Sequence, residues 1–301
     1  MANLYTHKES NVRKTWLLFT AFFGLILAFG WFFSYLYQDQ GILIIAVLFS
    51  TVTSFVSFWY SDKIALSMSG ARQIEHNDNE YLYNMIENLA ITAGLPMPRV
   101  YITPEMQINA FATGRNEKNS AIAVTRGAIE RLSKTELEGV LAHEMSHIGN
   151  KDILISTVAV VLAGVIVMVS DFFTRSLFFG GRRRNNNDNG GGGIMVLVGL
   201  AVAILAPLGA TIMRLAISRK RELLADASGA LLTRYPDGLA SALQKIAQDG
   251  QPMEHATNAT AHLWISNPFK NKISLIGRLF MTHPPIEERI AALRGMEAKG
   301  I

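Results

Sequence analysis

Apolar residues run nearly unbroken through four stretches, about 15–37, 41–60, 153–170 and 194–217, each long enough to cross a hydrocarbon core of about 30 Å as a helix. The first two are flanked by Trp16, Trp31, Tyr35, Tyr37, Trp59 and Tyr60, the amphipathic rings that gather at membrane–water interfaces. Gln38, Asp39 and Gln40 leave room only for a tight turn between them, so residues 1–61 read as a short tail and a transmembrane hairpin. A cleaved signal sequence is the rival for the first stretch. It is disfavoured by the length of the run, the missing small-residue cleavage site and the second span that follows at once. The third stretch barely reaches spanning length, and a buried helical hairpin is its alternative. Residues 180–193 are rich in Gly, Asn and Arg and read as a flexible connector, making 153–217 a second hairpin.

The remaining segments, 62–152 and 218–301, are mixed in polarity and read as two parts of one domain. Arg99–Ile102 and Ala121–Val124 have β-forming composition. Asn109, Ala110, Phe111, Ala112 and Thr113 form an extended segment between them, and Gly114, Arg115 and Asn116 make a turn. Ser133-Lys134-Thr135-Glu136 has the form of a capping box, after which Leu137, Val140, Leu141 and Ile148 recur at helical spacing.

Composition agrees with a membrane protein: half of the 301 residues are hydrophobic and only 17% are charged. Cysteine is absent, so any metal ligands are His, Asp or Glu. The net charge of +4 comes from dispersed basic residues or from residues beside apolar runs, which attraction to anionic lipid explains, and no nucleic-acid-binding signature accompanies them. Lys8, Arg13 and Lys14 precede the first span and put the N-terminus in the cytoplasm. Both polar segments then emerge on the cytoplasmic side, although Arg182, Arg183 and Arg184 would lie outside, against the same rule.

The chemistry centres on His143-Glu144-Met145-Ser146-His147. On a helix, positions i and i+4 share a face, so both imidazoles can reach one Zn²⁺ while Glu144 faces a water that it deprotonates as general base. A catalytic zinc needs a third protein ligand. The extension with a nearby third histidine is missing, since positions 150 and 153 are Asn and Ile, so the ligand comes from farther along. Glu222, Asp226, Glu254, His255, His262 and His283 are candidates. Glu222 and Asp226 lie four apart and share a face, as a ligand and a carboxylate orienting a ligand histidine would, or as a solvated face paired with Arg219 or Arg221. His283 or Arg289 could donate to the developing oxyanion. Equally, Thr282–Pro285 could be a rigid turn, with Arg289 in a structural ion pair.

The helix motif followed by Asn150 and Asp152, the stretch Ser218–Asp226, Asn109–Gly114 and the tail Thr282–Ile290 together resemble the HtpX group of membrane zinc metalloproteases in peptidase family M48, over nearly the whole chain. The resemblance implies a predominantly α membrane protein with four transmembrane helices and a cytoplasmic zincin-like α+β protease domain holding a small β-sheet. It implies one Zn²⁺ per chain on His143, His147 and Glu222, with Glu144 as general base and Asp226 behind the ligands. The residues alone slightly favour 109–113 as part of an ordinary hairpin packed on the active-site helix, and the resemblance turns the reading towards an exposed edge strand that binds substrate. The expected role is quality control of polypeptides, chiefly membrane proteins, at the bacterial inner membrane under stress. The rival classes are a zinc hydrolase of non-protein substrates and an idle membrane scaffold.

Overall fold

The computed structural model describes residues 4–180, 219–257, 260–269 and 284–297. The expected connector after residue 180, the fourth apolar stretch and His283 lie outside the described residues.

Two long helices open the chain, α1 (Leu4–Tyr37) and α2 (Gln40–Met68), and both are long and apolar enough to cross a membrane. The turn is set locally: Gln38 takes a left-handed φ of 53°, and the Asp39 carboxylate accepts from the Gly41 N–H at 2.8 Å, capping α2. The hairpin is tight at Gly30, where a Cβ would stand 2.3 Å from the Ala46 Cβ.

The polar domain follows, with β1 (Arg72–Gln73), α3 (Glu80–Ala93), β2 (Arg99–Thr103), β3 (Ala110–Asn116), β4 (Asn119–Thr125), α4 (Arg126–Arg131) and α5 (Lys134–Gly149). The sheet order is β1-β2-β4-β3, with β2 and β4 parallel and the outer pairings antiparallel. The β3–β4 turn falls at 117–118, two residues later than expected, because an irregularity between Gly114 and Asn116 lets β3 continue beyond it.

Alternation along the strands divides the sheet between two cores. Ala110, Ala112, Ile122 and Val124 join Leu137, Val140, Leu141 and Met145 of α5 and Leu82, Ile86 and Leu89 of α3. Phe111, Ala121 and Ala123 face the other way and meet Ala65, Leu66, Val160 and Trp264. The sheet is therefore wedged between the core of the polar domain and the ends of the apolar helices.

The capping box at Ser133 is formed: its hydroxyl accepts from the Glu136 N–H, and Glu136 accepts from the Ser133 N–H at 2.7 Å. After α5 the chain breaks at Lys151, with φ 59°, and turns by 86° into α6 (Asp152–Gly180). Ile155, Val158 and Leu162 of α6 are buried against Leu18 and Phe22 of α1. The third apolar stretch is thus a helix packed on the first hairpin. Among the described residues two helices qualify as spans, or three if the bent α5–α6 pair counts as one. Helices α7 (Arg219–Thr233), α8 (Pro236–Gln248) and α9 (Ile286–Glu297) complete the domain, α7 and α8 lying against α5.

Candidate metal centre

Helix α5 carries the two histidines one turn apart, and α7 crosses it closely enough to add a carboxylate. The crossing is made at Gly229, where a Cβ would lie 2.9 Å from the His143 nitrogen of the main chain. Two turns earlier on the same face of α7, Glu222 points at both rings: its carboxylate oxygens lie 3.8 Å from His143 Nε2 and 3.7 Å from His147 Nε2. One potential ligand atom from each of the three residues falls within 4.8 Å of the others.

The hydrogen bonds behind the rings decide what the front nitrogens can do. His143 Nδ1 is 2.9 Å from an Asp226 oxygen and His147 Nδ1 is 3.1 Å from Asp152. Each carboxylate takes an Nδ1–H, which turns each Nε2 toward the pocket as the atom available to a metal. Those two nitrogens stand 3.2 Å apart and aim at the same place. The carboxylates around them favour a positive charge at that place: a proton on His147 supplies it when no metal is bound, and a cation shared with Glu222 would take its position. The donor set, two nitrogens and a carboxylate with room for a fourth ligand, is that of a catalytic zinc.

Electrostatics follow the same geometry. Burial raises the Glu144 carboxyl above the ordinary range, opposed by the two histidines, and the Ala112 N–H is its backbone hydrogen-bond donor. Burial works against a charged His147, but Asp152, Glu222 and Glu144 outweigh it and push the ring up to about 9. Asp226 is buried too, yet Arg289 and His143 pull it down to about 2.

The structure corrects the reading of Arg289 as a donor to the developing oxyanion. It is fully buried behind His143, with Nε and Nη2 donating to the two Asp226 oxygens at 2.8 and 2.7 Å and Nη1 donating to the Ile265 carbonyl at 3.1 Å. Its donors are engaged inside the fold, in the structural ion pair that was the alternative. The expectation of an exposed edge at 109–113 also needs correction. All five residues are buried, and residues 265–266 run along the outer side of β3: the Ile265 N–H donates to the Ala110 carbonyl at 3.1 Å and the Asn109 amide donates to the Ser266 carbonyl at 3.1 Å. Among the described residues of the strand, Ala112 lines the metal pocket, a cavity of about 30 Å³ that residues 262–265 also line. That volume admits a water or an ion.

Of the other candidate ligands, His255 is held by Glu105 at 2.7 Å and Glu254 bonds the same carboxylate through its main chain, so neither joins the cluster. His262 lines the pocket and contacts the Ser156 carbonyl at 3.1 Å. Two residues carry weight that the sequence did not assign. Asp152 holds His147, and its position just past the motif, opening the next helix, was the available signal. Asn11 of α1, 139 or more residues away, donates to Asp152 at 2.6 Å and to the Asn150 carbonyl at 3.3 Å. No local pattern marks it.

The model of peptidase family M48 matches residues 76–297. A protease HtpX homolog of Dictyoglomus turgidum is 45% identical over 293 residues, covering 97% of this chain and 94% of its own. One from Caldanaerobacter subterraneus subsp. tengcongensis is 46% identical over 297 residues, covering 97% and 98%. Among solved structures, Ste24p of S. mikatae resembles the fold with a TM-score of 0.50 at 22% identity, over 96% of this chain and 67% of that one.

Proposed function

The chain belongs to peptidase family M48 and is a membrane metalloprotease, and from that premise we propose that it is a zinc-dependent endopeptidase that removes misfolded or damaged membrane proteins at the cytoplasmic face of a bacterial inner membrane. The observation that carries the reading is the convergence of His143 Nε2, His147 Nε2 and the Glu222 carboxylate beside the buried Glu144.

In this reading His143, His147 and Glu222 hold one Zn²⁺, whose Lewis acidity would activate a water and polarise the scissile carbonyl. Glu144 takes the proton released in the attack and returns it to the leaving amine. Asp226 and Asp152 keep the two rings in the tautomer that presents Nε2, and Arg289 fixes Asp226. His283 is the proposed donor to the oxyanion. An extended peptide would pair with the outer side of β3 along 109–113 once residues 262–266 move aside, through main-chain hydrogen bonds that tolerate many sequences. The second apolar hairpin would return the chain to the cytoplasm, giving four spans, with the positive residues before α1 supporting that orientation.

The test is cleavage of an unfolded model protein by the detergent-purified chain, with and without chelator, for wild type, Glu144→Ala and Glu222→Ala. Cleavage that chelator abolishes, zinc restores and both variants lack is the expected outcome. Cleavage by Glu144→Ala at the wild-type rate would sink the mechanism.

A further inference from the structure

On the membrane side of the sheet, two cavities meet at Phe55 and Trp59 of α2. One, of about 530 Å³, is a groove between α1 and α2 lined by Trp16, Phe19, Phe23, Phe55, Phe58 and Trp59. The other, of about 640 Å³, adds Lys63, Arg99, Arg115 and Lys118 to the same two aromatic residues, with Asp62 as the carboxylate on its wall. The cations come from three places in the fold: Lys63 from α2, Arg99 from β2, and Arg115 and Lys118 from the β3–β4 hairpin. Arg99 is paired with Asp62. Lys63, Arg115 and Lys118 have no carboxylate partner among the described residues, and Arg115 lies 4.3 Å over the Trp59 ring. The rings themselves are open, Phe55 being 59% and Trp59 43% exposed.

An apolar groove joined end to end to a cationic pocket, at the level where Trp59 and Tyr60 mark the edge of the bilayer, has the two-part chemistry of one ligand class. We propose that it binds an anionic diacyl phospholipid, with the phosphate among Lys63, Arg115 and Lys118 and an acyl chain along the α1–α2 groove. The guanidinium suits the phosphate as a fork-shaped donor, and its stacking on Trp59 holds it in place for that role. Acidic lipids concentrate in the cytoplasmic leaflet, and each cation near its surface adds roughly 1 kcal/mol, about fivefold in affinity. The site also reaches the chemistry. Arg115 sits three residues beyond Ala112 on β3, so a bound headgroup fastens to α2 the end of the strand that borders the metal pocket. The inference rests on α1 and α2 lying in a bilayer with the Trp59 end of α2 at its cytoplasmic face, not on the peptidase activity.

Native mass spectrometry of the full, delipidated chain in neutral detergent tests it, with chelator present so that turnover plays no part. Phosphatidylglycerol and phosphatidylcholine of equal chain length are titrated against wild type, Lys63→Gln/Arg115→Gln/Lys118→Gln, the charge-matched control Arg126→Gln/Lys134→Gln/Arg234→Gln, and Phe23→Ala/Phe55→Ala. Helix content by circular dichroism establishes that each variant is folded. The expected result is a first phosphatidylglycerol bound roughly 100-fold more weakly by the pocket triple variant, wild-type affinity in the control, and weakened binding in the phenylalanine pair. Equal affinity of wild type for the two lipids overturns the site while leaving the membrane reading standing. A loss as large in the control as in the pocket variant, or full binding by the phenylalanine pair, overturns it as well. Displacement of the lipid by an equal concentration of glycerol phosphate would mean a free-anion site and would also refute the proposal.

Discussion

Arg289→Met replaces the guanidinium that holds Asp226 with an uncharged chain of similar length. In the intact protein both groups are almost wholly buried, 0% and 2% exposed at the side chain, and share two short hydrogen bonds. The displacement of Asp226 from 3.8 to about 2, against the opposing effect of burial, corresponds to roughly 2–3 kcal/mol. Breaking a buried pair by removing one partner costs about 3–5 kcal/mol, so a loss near 3 kcal/mol is expected. For a domain of this size that is a fall in Tm of roughly 6–12 °C, measured by differential scanning fluorimetry on metal-loaded protein in detergent. The double variant Asp226→Asn/Arg289→Met strands no carboxylate and should recover a third or more of the loss. The pH dependence has a definite sign. A carboxylate whose folded pKa is depressed adds stability that is complete above its unfolded value near 4 and is lost as the pH falls through about 2. The gap between wild type and Arg289→Met should therefore narrow across that window. An unchanged Tm with a fall confined to kcat would refute the argument, because it would mean that Arg289 works on substrate and not on Asp226.

Asp152→Ala removes the acceptor for the His147 Nδ1–H at 3.1 Å, and zinc affinity measured by chelator competition should fall about 10–100-fold. Asn11→Ala, which frees the Asp152 oxygen held at 2.6 Å, should lower zinc affinity in the same direction by a smaller factor; no change would mean that α1 does not support the site. Gly229→Ala puts a Cβ 2.9 Å from the His143 nitrogen and must push α7 off α5. A stability loss of about 1–3 kcal/mol with weakened zinc binding is expected, since Glu222 rides on the displaced helix.

What could be read from the sequence was what neighbouring residues decide. The capping box starts α5 at the expected place, and i,i+4 spacing then puts His143 and His147 on one face whatever surrounds them. The first hairpin follows from two apolar runs and a turn too short for another connection. Glu222 and Asp226 could be read only as sharing a face. That the face meets α5, and does not face solvent, depends on Gly229 admitting the main chain of His143, a contact between helices separated by more than 60 residues of apolar and low-complexity chain. The support given to Asp152 by Asn11 and the cover laid on β3 by Ile265 are of the same long-range kind.

The third apolar stretch shows why pattern alone leaves such cases open. A run of Ile, Val, Leu and Ala satisfies the hydrophobic effect equally well in lipid or in a protein core, so its composition cannot distinguish the two. Here Ile155, Val158 and Leu162 are 0% exposed against α1, while the Thr157 hydroxyl on the same helix lies 2.9 Å from that of Thr113 on β3. One helix thus serves both environments: its apolar side packs on the membrane hairpin and its first turns carry polar contacts to the sheet. The site is assembled where that helix begins. Asp152, its first residue, reaches back to His147 and across to Asn11, so the metal ligands and the first membrane helix are joined through a single carboxylate. A soluble protease domain cut away from α1 would lose that brace, which is a physical reason for the two parts of the chain to be held together.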